Sequence, residues 1–143
     1  MSSGYYFAYG SNMDEYQMSN RCPGAKIAGM GRLEGYRFLI NSRGVATIVP
    51  APGHEVRGVI WMLNKEHERS LDGYEGVQYG TYNKVTLKIT LEDGQLVFAL
   101  FYIAKDSQPG RPRPGYLEKI VRAAQDNKIG SEYLSELAGF QNA

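Results

Sequence analysis

Tyr5-Tyr6-Phe7-Ala8-Tyr9-Gly10-Ser11-Asn12-Met13 changes character in its middle, and the rest of the chain is read outward from that change. Tyr5 to Tyr9 is aromatic and apolar, which suits a buried β-strand. Gly10, Ser11 and Asn12 then break the strand with turn-forming residues. Asp14 to Met18 has helical composition, and Ser11 or Asn12 is expected to cap that helix. A strand that ends in a glycine-containing turn before a helix presents free backbone N–H groups, which can hold an anion or a carbonyl oxygen. Ser11 does not sit in a G-x-S-x-G nucleophile elbow, because Tyr9 and Met13 occupy the two glycine positions.

At 143 residues the chain reads as one domain, 1–143, large enough for a sizeable core. Hydrophobic residues make up 43% and charged residues 22%, an ordinary globular balance. A net charge of +1 gives no strong field toward nucleic acid or anionic lipid. Cys22 is the only cysteine, so no internal disulfide can form. Met1 to Gly4 has neither a basic nor an apolar leader region, and the longest apolar run, Val97 to Ala104, is too short to span a bilayer. These features lead us to expect a cytoplasmic protein with no membrane partner.

Short strands are expected over Ala25–Met30, Leu33–Ile40, Val45–Val49 and Glu55–Leu63, with Gly35 as a bulge and Pro50 to Gly53 as a turn. Asn64 reads as the cap of a helix running from Lys65 to about Asp72, with Glu66 and Glu68 in its first turn. Tyr82–Leu91 alternates cleanly, Glu92 to Gly94 is a hairpin turn, and Gln95–Ile103 returns as a strand apolar enough for burial on both faces. A Pro- and Gly-rich loop, Asp106 to Gly115, precedes a helix over Tyr116–Gln125 and a last one from Ser131. The sum is an α+β fold: a small, mostly antiparallel barrel of about six strands flanked by helices.

Among the acids, Glu75 is singled out. It lies beyond a helix, between Gly73 and Gly76, beside Tyr74 and Val77, and apolar surroundings raise a carboxyl's pKa toward what a general base needs. His54, His67 and Cys22 lack metal-ligand spacing, so no metal is expected. The segment Pro109-x-x-Pro112 reads as a rigid connection within the domain, and no dinucleotide fingerprint follows any strand.

These pieces join in a resemblance. Tyr6–Met13 (YFAYGSNM) resembles the opening signature of the γ-glutamylcyclotransferase family. The similarity continues in order through Gly44–Pro50 (GVATIVP), Pro52–Trp61 (PGHEVRGVIW), Ser70–Val77 (SLDGYEGV), Pro114–Ile120 (PGYLEKI) and Ser131–Leu134 (SEYL). It implies a small β-barrel flanked by helices. It also implies closure of a γ-glutamyl group to 5-oxoproline with release of an amino acid or amine, without metal or cofactor. Carried over by position, the catalytic glutamate falls on Glu75. The substrate-holding loop falls on Tyr6, Phe7, Ala8, Tyr9, Gly10 and Ser11, and pocket tyrosines fall on Tyr116 and Tyr82. The implied partner is a small γ-glutamyl compound. A homodimer is compatible with the sequence, and no feature fixes its interface. The loop Asn41-Ser42-Arg43-Gly44 is shorter than in the animal glutathione-pathway members, and such loops rim the pocket, so the leaving group stays open. Two other readings stand beside this one: a non-catalytic module that binds γ-glutamyl or amino-acid-like ligands, and a cyclotransferase dedicated to a γ-glutamylamine or a γ-glutamylated natural product.

Overall fold

A computed structural model describes residues 2–142. Met1 and Ala143, the ends of the expected 1–143 domain, lie outside the described residues, as does the first residue of the stretch read for a leader. Five strands close into a barrel in the order β1 (Ser2–Ala8), β3 (Ala46–Asn64), β2 (Lys26–Ile40), β4 (Tyr82–Leu91) and β5 (Leu96–Ala104). All neighbouring pairs are antiparallel except β1 with β5, which meet in parallel at Tyr6 and Leu100 and close the ring. Among the described residues, four α-helices flank the barrel: α1 (Glu15–Arg21), α2 (Lys65–Tyr74), α3 (Tyr116–Asp126) and α4 (Ser131–Ala138).

The seven expected strand stretches, about six strands in sum, become five because two expected breaks do not reverse the chain. Gly31 and Arg32 stay paired with Gly58 and Arg57 inside one long β2, whose ladder shifts at residue 28 and, as expected, at Gly35. Opposite Gly35, the ladder steps from Tyr36–Pro50 to Glu34–Glu55, so residues 51–54 bow out of β3 against a single residue of β2. Turn chemistry thus produced an enlarged bulge, because the partner strand runs on past it. The expectation for β5 needs correction as well. Ala99, Phe101, Tyr102 and Ala104 are buried, but Leu96 and Phe98 are about 60% exposed. Strand β1 meets β5 at Leu100, beyond the exposed Leu96 and Phe98, and the Lys88 ammonium lies over the Phe98 ring, 5.7 Å from its centre.

Side-chain caps start α1 and α2, whereas glycines, Gly115 and Gly130, precede α3 and α4. Asn64 caps α2: its Oδ1 accepts the His67 N–H, and His67 Nδ1 accepts the Asn64 N–H in return. For α1 the cap is Asp14, which accepts the Gln17 N–H at 3.1 Å, rather than Ser11 or Asn12. Those two residues are diverted into a 3-10 turn, Ser11–Met13, that serves the site below. The core fills the barrel with stacked Phe7 and Phe101, 4.7 Å apart, and extends under α3 and α4 through Leu117, Ile120 and Leu137. Among the described residues no helix is long and apolar enough to cross a membrane.

Candidate active site

Strand β1 leaves the barrel at Tyr9, and the chain turns through Gly10 into the Ser11–Met13 turn. The indole N–H of Trp61 donates to the Asn12 carbonyl at 3.0 Å and pins that turn to β3. Among the described residues no acceptor meets the backbone N–H of Gly10 or Ser11, so both remain available to a ligand.

Glu75 ends α2 at the other wall of the same cleft. Its backbone N–H donates to the Leu71 carbonyl at 2.8 Å, and Gly76 at φ 64° swings the chain away, so the carboxyl is left facing inward. Burial pushes this carboxyl up to about 7, and the Arg21 charge works in the opposite direction. The negative end of the α2 dipole acts in the same sense as burial. Its nearest polar partner is the Asn12 amide, 3.5 Å away, too long for a strong hydrogen bond. Glu75 is therefore a carboxyl held half-buried and nearly uncompensated.

That arrangement has a consequence for stability. Between the ordinary value of 4.5 and about 7, the native protein holds a proton that the unfolded chain has lost, so stability falls as pH rises through this window and stays lowered above it. Glu75→Gln removes the ionisation. It should stabilise the fold by roughly 3 kcal/mol at pH 8 and by almost nothing at pH 4. Thermal melts of both proteins across that range check this, and an equal difference at both ends would contradict it.

Four tyrosines surround the carboxyl. Burial raises the pKa of Tyr6, Tyr9, Tyr82 and Tyr116, and the charge of Glu75 adds to each, so all four hydroxyls stay protonated near neutrality. Their protons are differently committed. Tyr82 donates to the Ala46 carbonyl at 2.9 Å and Tyr9 donates to the Tyr102 carbonyl. Tyr116 accepts the Ala46 N–H at 3.0 Å and Tyr6 accepts the Asn12 amide at 3.0 Å. The hydroxyl protons of Tyr6 and Tyr116 are thus left for a ligand, whereas Tyr82 offers only lone pairs. Tyr82 and Tyr116 also bracket both backbone groups of Ala46, which fixes the β2–β3 hairpin as a wall of the cleft.

Glu75, Tyr6, Tyr9, Gly10, Ser11, Tyr82 and Tyr116 come together around one cavity of about 220 Å³. Phe7 and Ala8 stay outside it. Phe7 is fully buried on Phe101, and the Ala8 carbonyl packs against Gly58. The sequence reading passed over Asn12, Arg21 and Arg113, which also line the cavity. Asn12 is buried and fully engaged: its Oδ1 accepts from Gln17 at 2.8 Å and from Arg21 at 3.1 Å. Arg21 lies over the Tyr74 ring, 4.5 Å from its centre. Asn12 was already part of the opening turn motif, but no local signal marks the two arginines.

The AIG2-like family model matches residues 55–137. The γ-glutamylcyclotransferase of Homo sapiens is 32% identical over 146 aligned positions, which cover 95% of this chain and 78% of that protein. The γ-glutamylcyclotransferase of Mus musculus is 31% identical with the same coverage. A solved structure of a γ-glutamyl cyclotransferase superposes with a TM-score of 0.90 at 32% identity, covering 96% of this chain and 87% of that one.

Proposed function

The chain belongs to the γ-glutamylcyclotransferase family, and on that premise we propose that Glu75 drives the ring closure of a γ-glutamyl substrate to 5-oxoproline in the cleft. The observation that carries this is a carboxyl whose pKa burial pushes up to about 7, set in the wall of a cavity rich in neutral hydroxyls. Such a substrate brings its own nucleophile, the α-amine, and its own electrophile, the γ-carbonyl. The protein needs to fold the substrate, move protons and hold charge, and needs no nucleophile of its own.

The α-amine arrives as an ammonium and gives a proton to Glu75. The freed amine attacks the γ-carbonyl carbon, closing a five-membered ring as the carbonyl electrons move to oxygen. The backbone N–H groups of Gly10 and Ser11 are suited to that oxyanion or to the α-carboxylate. The Tyr116 hydroxyl proton, uncommitted within the protein, orients the same end of the substrate. When the intermediate collapses, the amide C–N bond breaks and Glu75 returns the proton to the departing nitrogen. The second proton follows the same route, from the ring nitrogen through Glu75 to the released amine, so two protons pass from the α-ammonium to the leaving group and Glu75 finishes as it began. A pKa near 7 suits a group that must accept and then release a proton at neutral pH. On this reading the partner is a small molecule, no metal or cofactor takes part, and the protein works in the cytoplasm.

The test is mass spectrometry for 5-oxoproline after incubation with γ-glutamyl-alanine, γ-glutamyl-ε-lysine, a γ-glutamyl alkylamine and glutathione. Wild-type protein is expected to release it from at least one of them. Saturable binding without product from any would favour the non-catalytic binding module instead.

A further inference from the structure

Asp72 stands one turn before Glu75 on α2, outside the cavity, and its two oxygens reach in different directions. Oδ1 accepts the Tyr102 hydroxyl at 2.7 Å. Oδ2 accepts from the Lys84 ammonium at 3.2 Å, and that ammonium also donates to Glu68, one turn further back on α2. Burial works against the Lys84 charge, but the bonds to the two carboxylates outweigh it and leave its pKa raised. Strand β4 thus grips α2 through one cation, and Asp72 keeps its other oxygen for β5.

Tyr102 carries that grip to the opposite wall. Burial raises its pKa and the hydrogen bond to Asp72 adds to this, so the hydroxyl stays a donor and its proton is committed to Asp72 rather than to a ligand. The backbone carbonyl of the same residue accepts the Tyr9 hydroxyl, and its ring meets Tyr6 edge-on, with centroids 5.7 Å apart. One residue of β5 therefore joins the helix that ends in Glu75 to the strand end that leads into Gly10 and Ser11. Glu75 needs support from elsewhere. Among the described residues its carboxyl has only the long 3.5 Å contact with Asn12, and Gly73 and Gly76 stand on either side of it in the chain. Glycine so close on both sides weakens the last turn of α2.

We propose that Asp72 and Tyr102 are positioning residues for ring closure: their hydrogen bond clasps the end of α2 to β5 and so fixes the Glu75 carboxyl against the Gly10–Ser11 turn. The inference rests on the cyclotransferase reading above. Partly exposed ion pairs add little stability, so the weight of this cluster falls on geometry. Glu75 must take a proton from an ammonium whose substrate is held by the other wall, so the separation of the walls sets whether that proton is within reach. A base displaced by about 1 Å can cost on the order of 100-fold, and loss of one clasp among other contacts should cost roughly a tenth of that.

Tyr102→Phe removes a single oxygen and leaves both the ring against Tyr6 and the carbonyl that takes the Tyr9 hydroxyl. It should lower kcat by ~10-fold and change KM by less than ~3-fold. In the Glu75→Gln background the same change should cost almost nothing, because no base remains to be misplaced. Asp72→Ala should behave like Tyr102→Phe, whereas Asp72→Asn keeps an acceptor for the hydroxyl and should recover most of kcat. Both are neutral, so their difference isolates the hydrogen bond from the charge, and the pair stands in if Tyr102→Phe does not fold. A readout that needs no turnover is carbon NMR of the Glu75 carboxyl, identified by its loss in Glu75→Gln. Its midpoint, pushed up to about 7 by burial, should fall toward 4.5 in Tyr102→Phe as the carboxyl swings toward water. The groups that share the cavity with it are unchanged by that substitution: Arg21 from α1, Tyr6 and Tyr9 at the end of β1, Tyr82 from β4, Tyr116 from α3 and Arg113 from the proline-rich loop. An unmoved midpoint, an unchanged kcat in an active protein, or an equal loss in both backgrounds overturns the clasp and leaves the ring closure standing. A moved midpoint in a protein that releases no 5-oxoproline upholds the clasp and sinks the ring closure.

Discussion

Glu75→Gln is expected to lower kcat by at least ~100-fold, because general acid–base catalysis is worth roughly 10²–10⁴-fold and, among the described residues, no second carboxyl lines the cleft to take over. The amide keeps the shape and the contact with Asn12 but cannot take a proton from the substrate ammonium. The pH profile follows from the same group. The base must be ionised, so kcat/KM should rise with pH and level off above about 7, the value to which burial pushes the free carboxyl. In the substrate complex an ammonium faces Glu75 and favours its charged form, so the profile of kcat should turn over at lower pH than that of kcat/KM. A variant that kept a tenth of wild-type activity, or a wild-type profile flat from pH 5 to 8, would remove Glu75 from the reaction. The same substitution stabilises the fold above neutrality, so the expected outcome is a firmer protein with almost no turnover, a trade expected where a site holds a buried charge.

How much of this was legible in the chain depended on whether the deciding partner was near in sequence. The β4–β5 hairpin could be read because Glu92 to Gly94 closes it locally, with Leu91 and Gln95 bonded across the turn. The Asn64 cap could be read because its partner His67 is three residues away. Strand β3 was divided in two because Pro50 to Gly53 is turn chemistry, and whether it reverses the chain is decided by β2, whose Glu34 and Tyr36 keep pairing on either side. The site divides in the same way. Glu75 and the tyrosines came from motif and resemblance. Arg21 and Arg113 did not, since nothing near either one signals that the barrel will bring α1 and the proline-rich loop to one carboxyl. Phe7 and Ala8 fell inside a motif that is continuous in sequence. Strand alternation places Phe7 in the barrel core, and Ala8 supports the turn from beneath through its backbone.

That close approach predicts a large effect for a small substitution. Gly58 is buried on β3, opposite the point where β1 leaves the ladder after the Ala8–Val59 pair. A Cβ there would lie 2.3 Å from the Ala8 carbonyl oxygen and 2.7 Å from Phe7 Cε1. Neither neighbour can yield easily, since the oxygen belongs to the main chain and the ring is stacked on Phe101. Gly58→Ala should therefore destabilise the fold by about 3 kcal/mol, the upper range for overpacking. The strain has one direction of escape, outward through Ala8, and Ala8 is followed by Tyr9 and Gly10. Relief would carry the Tyr9 hydroxyl off the Tyr102 carbonyl and tilt the Gly10 and Ser11 N–H groups away from the substrate. Whatever fraction of the variant folds should then turn over more slowly than wild type, beyond the loss expected from the unfolded share alone. Gly73→Ala is the matched comparison. Its Cβ meets nothing within 4 Å and its helical backbone accepts alanine, so it should gain up to ~1 kcal/mol. Denaturation midpoints and activity per folded molecule decide the matter. A Gly58→Ala protein as stable and as active as wild type would mean that β1 and β3 do not press together at this crossing, and that the turn is held by its own contacts with Trp61, Gln17 and Arg21.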